Sequence, residues 1–401
     1  MADADVNRRT VVLDSGTGSI KVGYAGANFP TAVVPTVLGR PVLRAGATKV
    51  KDANGAEAAE LKDLMLGDEV RAVRHLLHIT TPVRNGVVKN RDDMCLLWDH
   101  AFSSQMKIDP REHTLSLSEA PITSDRAREE LFQIMFEKFG FQAIQATAQG
   151  VLALYAAGVT TGVAVDSGEG VTHCTPIYDG YAIKKANRQV GIGGNDVTEN
   201  LVRLMQRRGY SFHSSADFEL MRAVKEKFCY AAVNFSEEQR LSDATTVLEK
   251  SFVLPDNTTC TIGKERFEAT EVLFQPGRMG VESDGLSTQI WNSIQASDMD
   301  VRGALFENVI LAGGSSMFPG LPSRIERDMQ ETFVSKSLGG DRSKLHRFKL
   351  KIHDAPRRKH MTFLGGACYS QLTAESPEMW LSREQYDEDG PSSVTRMFAS
   401  M

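Results

Sequence analysis

The sequence feature that most constrains the fold is a short pattern that occurs twice. Residues 11–18 read VVLDSGTG and residues 163–173 read VAVDSGEGVTH. In both, an apolar run leads into Asp-Ser-Gly and a second glycine, and the two aspartates, Asp14 and Asp166, are 152 positions apart (166 − 14). Self-similarity at this scale indicates a duplicated domain, although any two strands that end in Asp-x-Gly would look alike. We call residues 14–18 the first glycine turn and residues 166–170 the second glycine turn.

Each glycine turn is flanked by segments that are typical of strands. Residues 10–14 and 20–25 predict one hairpin, and residues 162–166 and 171–180 predict a second hairpin of the same plan. A third glycine site follows a buried strand in residues 309–333, where Gly313-Gly314 precede a helix that begins after Pro319-Gly320. The sequence therefore predicts three glycine-rich turns that each leave the end of a strand.

The segments between the glycine turns are mostly helical in pattern. Residues 125–140 repeat apolar positions every three or four residues and end at a glycine, and residues 148–158 predict a shorter apolar helix closed by Gly158. Residues 41–66 begin rich in glycine and alanine, and we expect their first part to be a mobile loop. The C-terminal tail carries turn signals followed by a short final helix or a frayed end.

Composition limits the classes of protein that the chain can be. At 401 residues the chain is too long for one hydrophobic core, so we expect two domains or more. A formal net charge of −5 does not favour binding to the phosphate backbone of a nucleic acid. The most apolar run, residues 151–165, is broken by glycines and threonines, so we expect no membrane insertion. The five cysteines are scattered with no CxxC pair, which is typical of reduced thiols in a cytosolic or nuclear protein.

Paired glycine turns suit a polyphosphate ligand. Because glycine has no Cβ, such a turn lets backbone N–H groups approach a phosphate closely. Two facing turns could hold a phosphate chain from both sides. Asp14 and Asp166, each at a strand end, would be opposite carboxylates that could hold a hydrated Mg²⁺. Lys21 could reach a phosphate as a point charge. One such turn alone is weak evidence, because most are only turns; the duplication and the third glycine site favour nucleotide binding.

The whole set of motifs resembles the actin superfamily, whose members bind ATP between two halves. The resemblance is carried by DSGTGSIKVGYAG (14–26), LSEAP (117–121), DSGEGVTH (166–173), LAGGSSMFPGLPSRIERD (311–328) and WLSREQYDEDGPS (380–392). It implies an α/β, actin-like ATPase fold with two duplicated ribonuclease-H-like domains, an ATP cleft between them and four subdomains. It also implies an outer domain of residues 1–156 plus 361–401, with a mobile insert at about 36–81, and an inner domain of residues 157–360, with an insert at about 193–282.

The resemblance also implies roles for individual residues, with ATP (or ADP) and Mg²⁺ as cofactors. Asp14 and Asp166 would hold Mg²⁺ through water, and Gln149 and His173 would position the attacking water for slow regulatory hydrolysis. Taken alone, His173 would be an ordinary core histidine and Gln149 a capping residue, so the sequence leaves open whether the chain is an enzyme. The residues implied for nucleotide binding are Asp14, Gly16, Thr17, Gly18, Ser19, Lys21, Asp166, Gly168, Glu169, Gly170, Val171, Gly194, Lys225, Glu226, Gly313, Gly314, Ser315, Met317, Phe318 and Lys359.

Within the superfamily, three kinds of function remain open. The sequence most resembles an actin-related subunit of the complex that nucleates filament branches. That resemblance implies a cytoplasmic, cytoskeletal protein whose partners are actin-related protein 3, five smaller subunits, actin filaments and nucleation-promoting factors. Conventional filament-forming actin is the alternative, and a small-molecule kinase would need a carboxylate base that no feature marks.

Asn85 stands where conventional actins usually have histidine, and it is one of the positions that favour the actin-related subunit. Two other positions depart from what is usual in relatives. Arg91 replaces a tryptophan that is common to both kinds of relative. Glu169 stands where the superfamily usually has aspartate, and it is either tolerated drift or a change that shifts the water and ion network and slows hydrolysis.

Overall fold

The fold is described by a computed structural model of the chain. It describes residues 10–41, 49–51, 57–60, 62–254 and 258–398. Strands occupy Thr10–Ser15, Ser19–Tyr24, Ala32–Pro35, Leu38–Pro41, Lys49–Lys51, Glu57–Glu60, Met65–Leu66, Leu77–Thr80, Val83–Arg84, Val87–Val88, Thr114–Glu119, Ala143–Ala148, Gly162–Ser167, Thr172–Tyr178, Tyr181–Ala182, Arg188–Val190, Lys250–Val253, Thr259–Ile262, Val309–Ala312, Ile352–His353 and Leu381–Ser382.

Helices cover much of the remaining chain. The α-helices are Asp68–Ala72, Arg91–Asp99, Asp125–Gln133, Gln149–Ala157, Gly194–Arg207, Ser215–Phe228, Phe235–Ala244, Glu265–Glu268, Leu286–Gln295, Met299–Glu307, Leu321–Ser337, Met361–Leu372, Arg383–Asp389 and Ser392–Phe398. Two of them continue as π-helices, at His100–Met106 and Ile134–Phe139. Short 3₁₀ turns occur at Arg74–Leu76, Pro110–Glu112, Lys184–Ala186, Thr270–Leu273, Pro276–Met279, Gly314–Met317, Arg342–Arg347, Arg358–His360 and Pro377–Met379.

Two sheets repeat one plan. In the first sheet, the hairpin Thr10–Ser15 and Ser19–Tyr24 is antiparallel, and its first strand pairs in parallel with Thr114–Glu119. In the second sheet, the hairpin Gly162–Ser167 and Thr172–Tyr178 is antiparallel, and its first strand pairs in parallel with Val309–Ala312. The predicted duplicated α/β fold is confirmed by this shared topology.

The two glycine turns close their hairpins in the same way. The Gly16 N–H donates to the Ser19 carbonyl at 3.1 Å, and the Gly168 N–H donates to the Val171 carbonyl at 2.9 Å. The register places Asp14 opposite Lys21 in the first hairpin. It places Asp166 opposite His173 in the second hairpin. Each hairpin therefore presents an acidic side chain at the same point of the same turn.

Each sheet has its own hydrophobic core. The first is built from buried side chains such as Phe102, Phe132 and Phe136, and the second from side chains such as Ile290 and Ile325. The helices Gln149–Ala157 and Met361–Leu372 lie where the two sheets meet. Chain order explains this position, since the first of them directly connects strand Ala143–Ala148 of the first sheet to strand Gly162–Ser167 of the second.

Most of the predicted elements are confirmed, with two differences. Residues 125–140 are helical, but the second part, Ile134–Phe139, is a π-helix. The tail forms the predicted final helix Ser392–Phe398, and an additional helix, Arg383–Asp389, begins at a capping box of Ser382 and Gln385. The turn signals predicted for the tail did not indicate this helix, whose start is fixed by the cap.

The predicted mobile loop lies largely outside the described residues. Within residues 42–66, the structure describes the short paired strands Lys49–Lys51 and Glu57–Glu60 and the strand Met65–Leu66. The exact domain and subdomain bounds stay predictions.

Candidate functional site

Both glycine turns line one cleft of about 970 Å³. The structure brings most of the predicted site residues together there. Those that line the cleft are Asp14, Gly16, Thr17, Gly18, Ser19, Lys21, Gln149, Asp166, Gly168, Glu169, Gly170, Val171, His173, Glu226, Gly313, Gly314 and Lys359. They come from both sheets, so a ligand in the cleft would contact both halves of the molecule.

The two glycine turns face each other in close contact. A Cβ added to Gly18 would lie 2.9 Å from Glu169 Cβ, and a Cβ added to Gly170 would lie 2.9 Å from Thr17 Oγ1. Each turn thus packs its last glycine against the fourth residue of the other turn, and a larger residue at either glycine would force the turns apart. This mutual contact requires glycine by close approach, since neither position has a positive φ.

A third turn touches both of them. Asn85 and Gly86 form the tip of the small hairpin Val83–Arg84 and Val87–Val88, with φ values of +52° and +76°. The Gly86 N–H donates to Thr17 Oγ1 at 3.2 Å, and a Cβ on Gly170 would lie 3.1 Å from Asn85 Cα. Asparagine tolerates the left-handed conformation better than most residues, which accounts locally for Asn85 at this tip.

The first carboxylate of the site is held by three side chains. Asp14 is buried, and its Oδ2 is 2.6 Å from Lys21 Nζ, while its Oδ1 accepts a hydrogen bond from Ser118 Oγ at 2.6 Å. Gln149 Nε2 lies 3.5 Å from the same Oδ1. Lys21 is therefore bound to the carboxylate at the edge of the cleft, in reach of both the aspartate and a ligand.

The second carboxylate is less well compensated. The pKa of Asp166 is raised from 3.8 to about 6, chiefly by burial and also by the negative charge of Asp14, while Lys21 opposes the shift. Two carboxylates that repel each other across a cleft are a donor set for a divalent cation. Among the described residues no group of three or more His, Cys, Asp or Glu could hold a metal ion directly. The pair therefore fits Mg²⁺, which keeps several waters and needs only one or two carboxylates.

Gln149 and His173 lie on the same side as the carboxylates. Gln149 begins the helix Gln149–Ala157, and its amide also lies 3.5 Å from Ser118 Oγ. His173 is buried, its Nδ1 has no hydrogen-bond partner among the described residues, and burial lowers its pKa from 6.5 to about 4. His173 is thus a neutral imidazole at pH 7, with hydrogen-bonding capacity left over for water or a ligand.

Glu169 points to the helix Ser215–Phe228. Its Oε1 accepts from Arg222 Nε at 3.1 Å and Nη2 at 2.9 Å, and it lies 3.7 Å from Lys225 Nζ. Burial raises the pKa of Glu169, but the charges and hydrogen bonds of Lys225 and Arg222 outweigh burial, so the net pKa is lowered. The carboxylate is therefore ionised and holds the helix Ser215–Phe228 against the second glycine turn.

The third glycine site backs the second glycine turn. A Cβ on Gly313, whose φ is +88°, would lie 2.4 Å from Asp166 Oδ1, so only glycine fits there. Ser315 Oγ donates to the Gly168 carbonyl at 2.8 Å, and Lys225 Nζ donates to the Gly194 carbonyl at 2.8 Å. Gly194, Lys225 and Ser315 thus lie directly behind the residues that line the cleft.

Met317 and Phe318 are placed differently from the rest of the predicted set. Phe318 is buried in the core of the second sheet, and Met317 is exposed. Neither is among the described residues that line the cleft. Their contact with adenosine stays a prediction.

Several lining residues were not identified from the sequence. They include Ser118, Asn85, Gly86, Arg91, Gln189, Arg222 and His360. Arg222 lies three residues before Lys225 on the same helix, so helical spacing would have placed it on the same face. Arg91, which stands where relatives usually have tryptophan, forms an exposed ion pair with Glu130.

The described part of the chain contains no helix that is long and apolar enough to cross a membrane. The Actin family profile matches residues 6–399, so the chain belongs to the actin family. Membership implies that the protein binds a nucleotide.

Curated relatives narrow the comparison to one kind of actin-related protein. The chain is 44% identical to actin-related protein 2 of Saccharomyces cerevisiae (strain ATCC 204508 / S288c) over 387 residues, which cover 96% of this chain and 97% of that protein. It is 45% identical to actin-related protein 2 of Drosophila melanogaster over 388 residues, 96% of each chain. It is 44% identical to actin-related protein 2 of Caenorhabditis briggsae over 385 residues, again 96% of each.

Proposed function

We propose that this chain has the function of an actin-related protein 2. It is an ATP-binding subunit of the complex that nucleates branched actin filaments, and it acts as a pseudo-actin at the start of a daughter filament. The observation that carries the proposal is the pair of glycine turns in contact across the cleft, with Asp14 and Asp166 opposed, in a chain similar to those relatives over 96% of its length.

In this proposal the cleft takes ATP or ADP together with Mg²⁺. The backbone N–H groups of the two glycine turns would contact the phosphate chain, and Lys21 would add a positive charge. Asp14 and Asp166 would hold Mg²⁺ through its water ligands, and the cation would neutralise phosphate charge. Glu226 lines the same cleft, while Lys225 supports its wall through Gly194.

Slow regulatory hydrolysis is a second part of the proposal. Phosphoryl transfer needs little covalent chemistry from the protein, so orientation of the attacking water carries most of the catalysis. Gln149 and the neutral His173 have the hydrogen-bonding groups to orient that water. ATP binding itself does not depend on this pair, so a slow or absent hydrolysis would leave the proposed binding role intact.

The nucleotide would act as a switch because its site is shared by both halves. A ligand held by both glycine turns fixes the angle between the two sheets, and that angle would decide whether the subunit matches the end of a filament. A two-state element biased by a ligand is the requirement for allostery. In this role the protein is cytoplasmic and cytoskeletal.

Affinity purification of the tagged full-length chain from its own cells tests the proposed complex. We expect mass spectrometry to identify actin-related protein 3 and five smaller subunits in constant proportion. Recovery of the chain without a second actin-related protein would contradict the proposal.

A sedimentation assay separates the proposal from conventional actin. The purified chain should remain in the supernatant after addition of salt, Mg²⁺ and ATP, at concentrations where a muscle-actin control pellets. A pellet that appears above a critical concentration would show a self-assembling actin.

A further inference from the structure

Ser118 lines the cleft but has no role in the proposed function so far. It lies near the end of the strand Thr114–Glu119, which pairs in parallel with two other strands of the first sheet. One of these neighbours carries Asp14, and the other leads directly into Gln149. Parallel strands bring their carboxyl ends to the same edge of a sheet, where ligands of such sheets bind. Ser118 therefore lies between two residues of the proposed site.

The hydrogen bonds of Ser118 have a direction that follows from the chemistry of the three groups. The Ser118 hydroxyl donates to Asp14 Oδ1 at 2.6 Å, since a carboxylate can only accept. Its one proton is then used, so the oxygen is left as an acceptor. The Gln149 amide nitrogen, which can only donate, lies 3.5 Å from this oxygen and 3.5 Å from Asp14 Oδ1. Ser118 thus connects the carboxylate to the amide.

The other partner of Asp14 cannot fix the orientation of the carboxylate in the same way. Lys21 Nζ lies 2.6 Å from Asp14 Oδ2, at the edge of the cleft. An ammonium group is a point charge on a flexible stem, so it can turn toward a ligand phosphate. Serine has a single side-chain torsion, and Ser118 is held on a paired strand. The bond from Ser118 therefore keeps its direction when Lys21 moves.

We propose that Ser118 is a positioning residue that holds the Asp14 carboxylate and the Gln149 amide in one fixed arrangement for the bound Mg²⁺ and nucleotide. The inference rests on the proposed nucleotide binding and adds to it a residue that acts through its neighbours. Hydrogen-bond partners of the groups that hold a metal ion commonly contribute ten- to a hundredfold to its affinity. The short bond to Asp14 gives Ser118 this place in the site.

Two variants of the full-length chain isolate the hydroxyl of Ser118. Ser118→Ala removes it, whereas Ser118→Thr keeps it on a β-branched side chain, which strands accommodate well. Equilibrium binding of ATP is measured for the native chain and both variants, once with Mg²⁺ and once in EDTA. Thermal unfolding without nucleotide and Mg²⁺ is the control for folding.

We expect Ser118→Ala to weaken ATP binding about tenfold in Mg²⁺ and to leave it unchanged in EDTA. The two conditions differ because, in the proposal, Asp14 holds the nucleotide only through the cation. Ser118→Thr should bind ATP like the native chain in both conditions. A general loss of structure would weaken binding in EDTA as well, so this pair of measurements separates positioning from folding.

The link to Gln149 is tested by a double variant, Ser118→Ala with Gln149→Leu. If Ser118 acts partly through Gln149, the loss of ATP affinity in Mg²⁺ should be smaller than the product of the two single losses.

Four results would overturn the inference. They are native ATP affinity of Ser118→Ala in Mg²⁺, an equal loss of affinity in EDTA, a Ser118→Thr variant that folds like the native chain but binds like Ser118→Ala, and single losses that simply multiply in the double variant. Failure of the native chain to bind ATP in either condition would instead contradict the proposed function, so the two failures are distinguishable.

Discussion

At the scale of single residues, Glu169 shows how the structure refines a sequence observation. The sequence left open whether its extra methylene is drift or shifts the water network beside the phosphates. The described contacts of its carboxylate are with Arg222 and Lys225, and no described hydrogen bond or ion pair joins it to Gln149 or His173. We therefore assign the side chain to the support of the helix Ser215–Phe228, and its effect on hydrolysis stays a prediction to be measured.

Replacement of Glu169 by glutamine should lower the free energy of unfolding by about 3 kcal/mol. The change leaves Arg222 and Lys225 largely buried without their carboxylate, and removal of one partner of such a pair costs several times what the pair contributes. Urea denaturation of the nucleotide-free chain measures the loss. The double variant Glu169→Gln with Arg222→Met is the control and should recover part of it; losses that simply add would show that the two side chains are not coupled.

Replacement of Asp166 by asparagine should stabilise the chain when nucleotide and Mg²⁺ are removed. Below pH 3.8 the Asp166 carboxyl is protonated in both the folded and the unfolded chain, so its burial does not lower the free energy of unfolding. Because the folded pKa is raised to about 6, stability is lost as pH rises from about 4 to 6, by about 2–3 kcal/mol in all.

The Asp166→Asn variant should not lose stability as the pH rises through this range. Denaturation of both proteins in EDTA at several pH values measures the free energy of unfolding. Mg²⁺ and ATP should then stabilise the native chain more than Asp166→Asn. A native chain with no such pH dependence in EDTA, or equal stabilisation of both proteins by Mg²⁺ and ATP, would contradict the placement of the opposed carboxylates.

At the scale of elements, the sequence identified what short-range patterns encode. The two hairpins, the helix closed by Gly158 and the strand before Gly313 follow from alternation, spacing and glycine. The helix Arg383–Asp389 was missed because the tail was interpreted from its turn signals alone, without the cap at Ser382. Arg222 and His360 were missed because their placement in the cleft depends on how distant helices pack, which no local pattern contains.

The packing of the helices Gln149–Ala157 and Met361–Leu372 can be tested at one glycine. A Cβ on Gly365 would lie 1.8 Å from the Leu152 carbonyl oxygen, so the helices meet backbone to backbone. Gly365→Ala should lower stability by about 3 kcal/mol or more, because the helices would have to separate.

Gly303→Ala is the matched control for this change. Gly303 also lies within a helix, but nothing is within 4 Å of its added Cβ, so alanine there should be neutral or slightly stabilising. Thermal unfolding of the two variants compares them directly. Equal effects would show that the helices do not meet at Gly365.

At the scale of the whole molecule, the sheets form two similar halves around one shared cleft. The duplicated turns predicted a duplicated domain and a phosphate-binding cleft, whereas the fold class and the remaining site residues followed from the family resemblance. The partners could be predicted only from the resemblance to the actin-related subunit, since no motif comparable to the glycine turns marks a partner surface. The central claim is therefore that nucleotide bound between the halves controls assembly.

Branch formation by the reconstituted complex tests this claim most directly. Branches are counted by fluorescence microscopy with actin, a nucleation-promoting factor and the complex that contains this chain, with and without ATP. The native chain should give branches only with ATP and the activator. The double variant Asp14→Ala with Asp166→Ala should assemble into the complex but give few or none; branching that continues unchanged in this variant would contradict the claim.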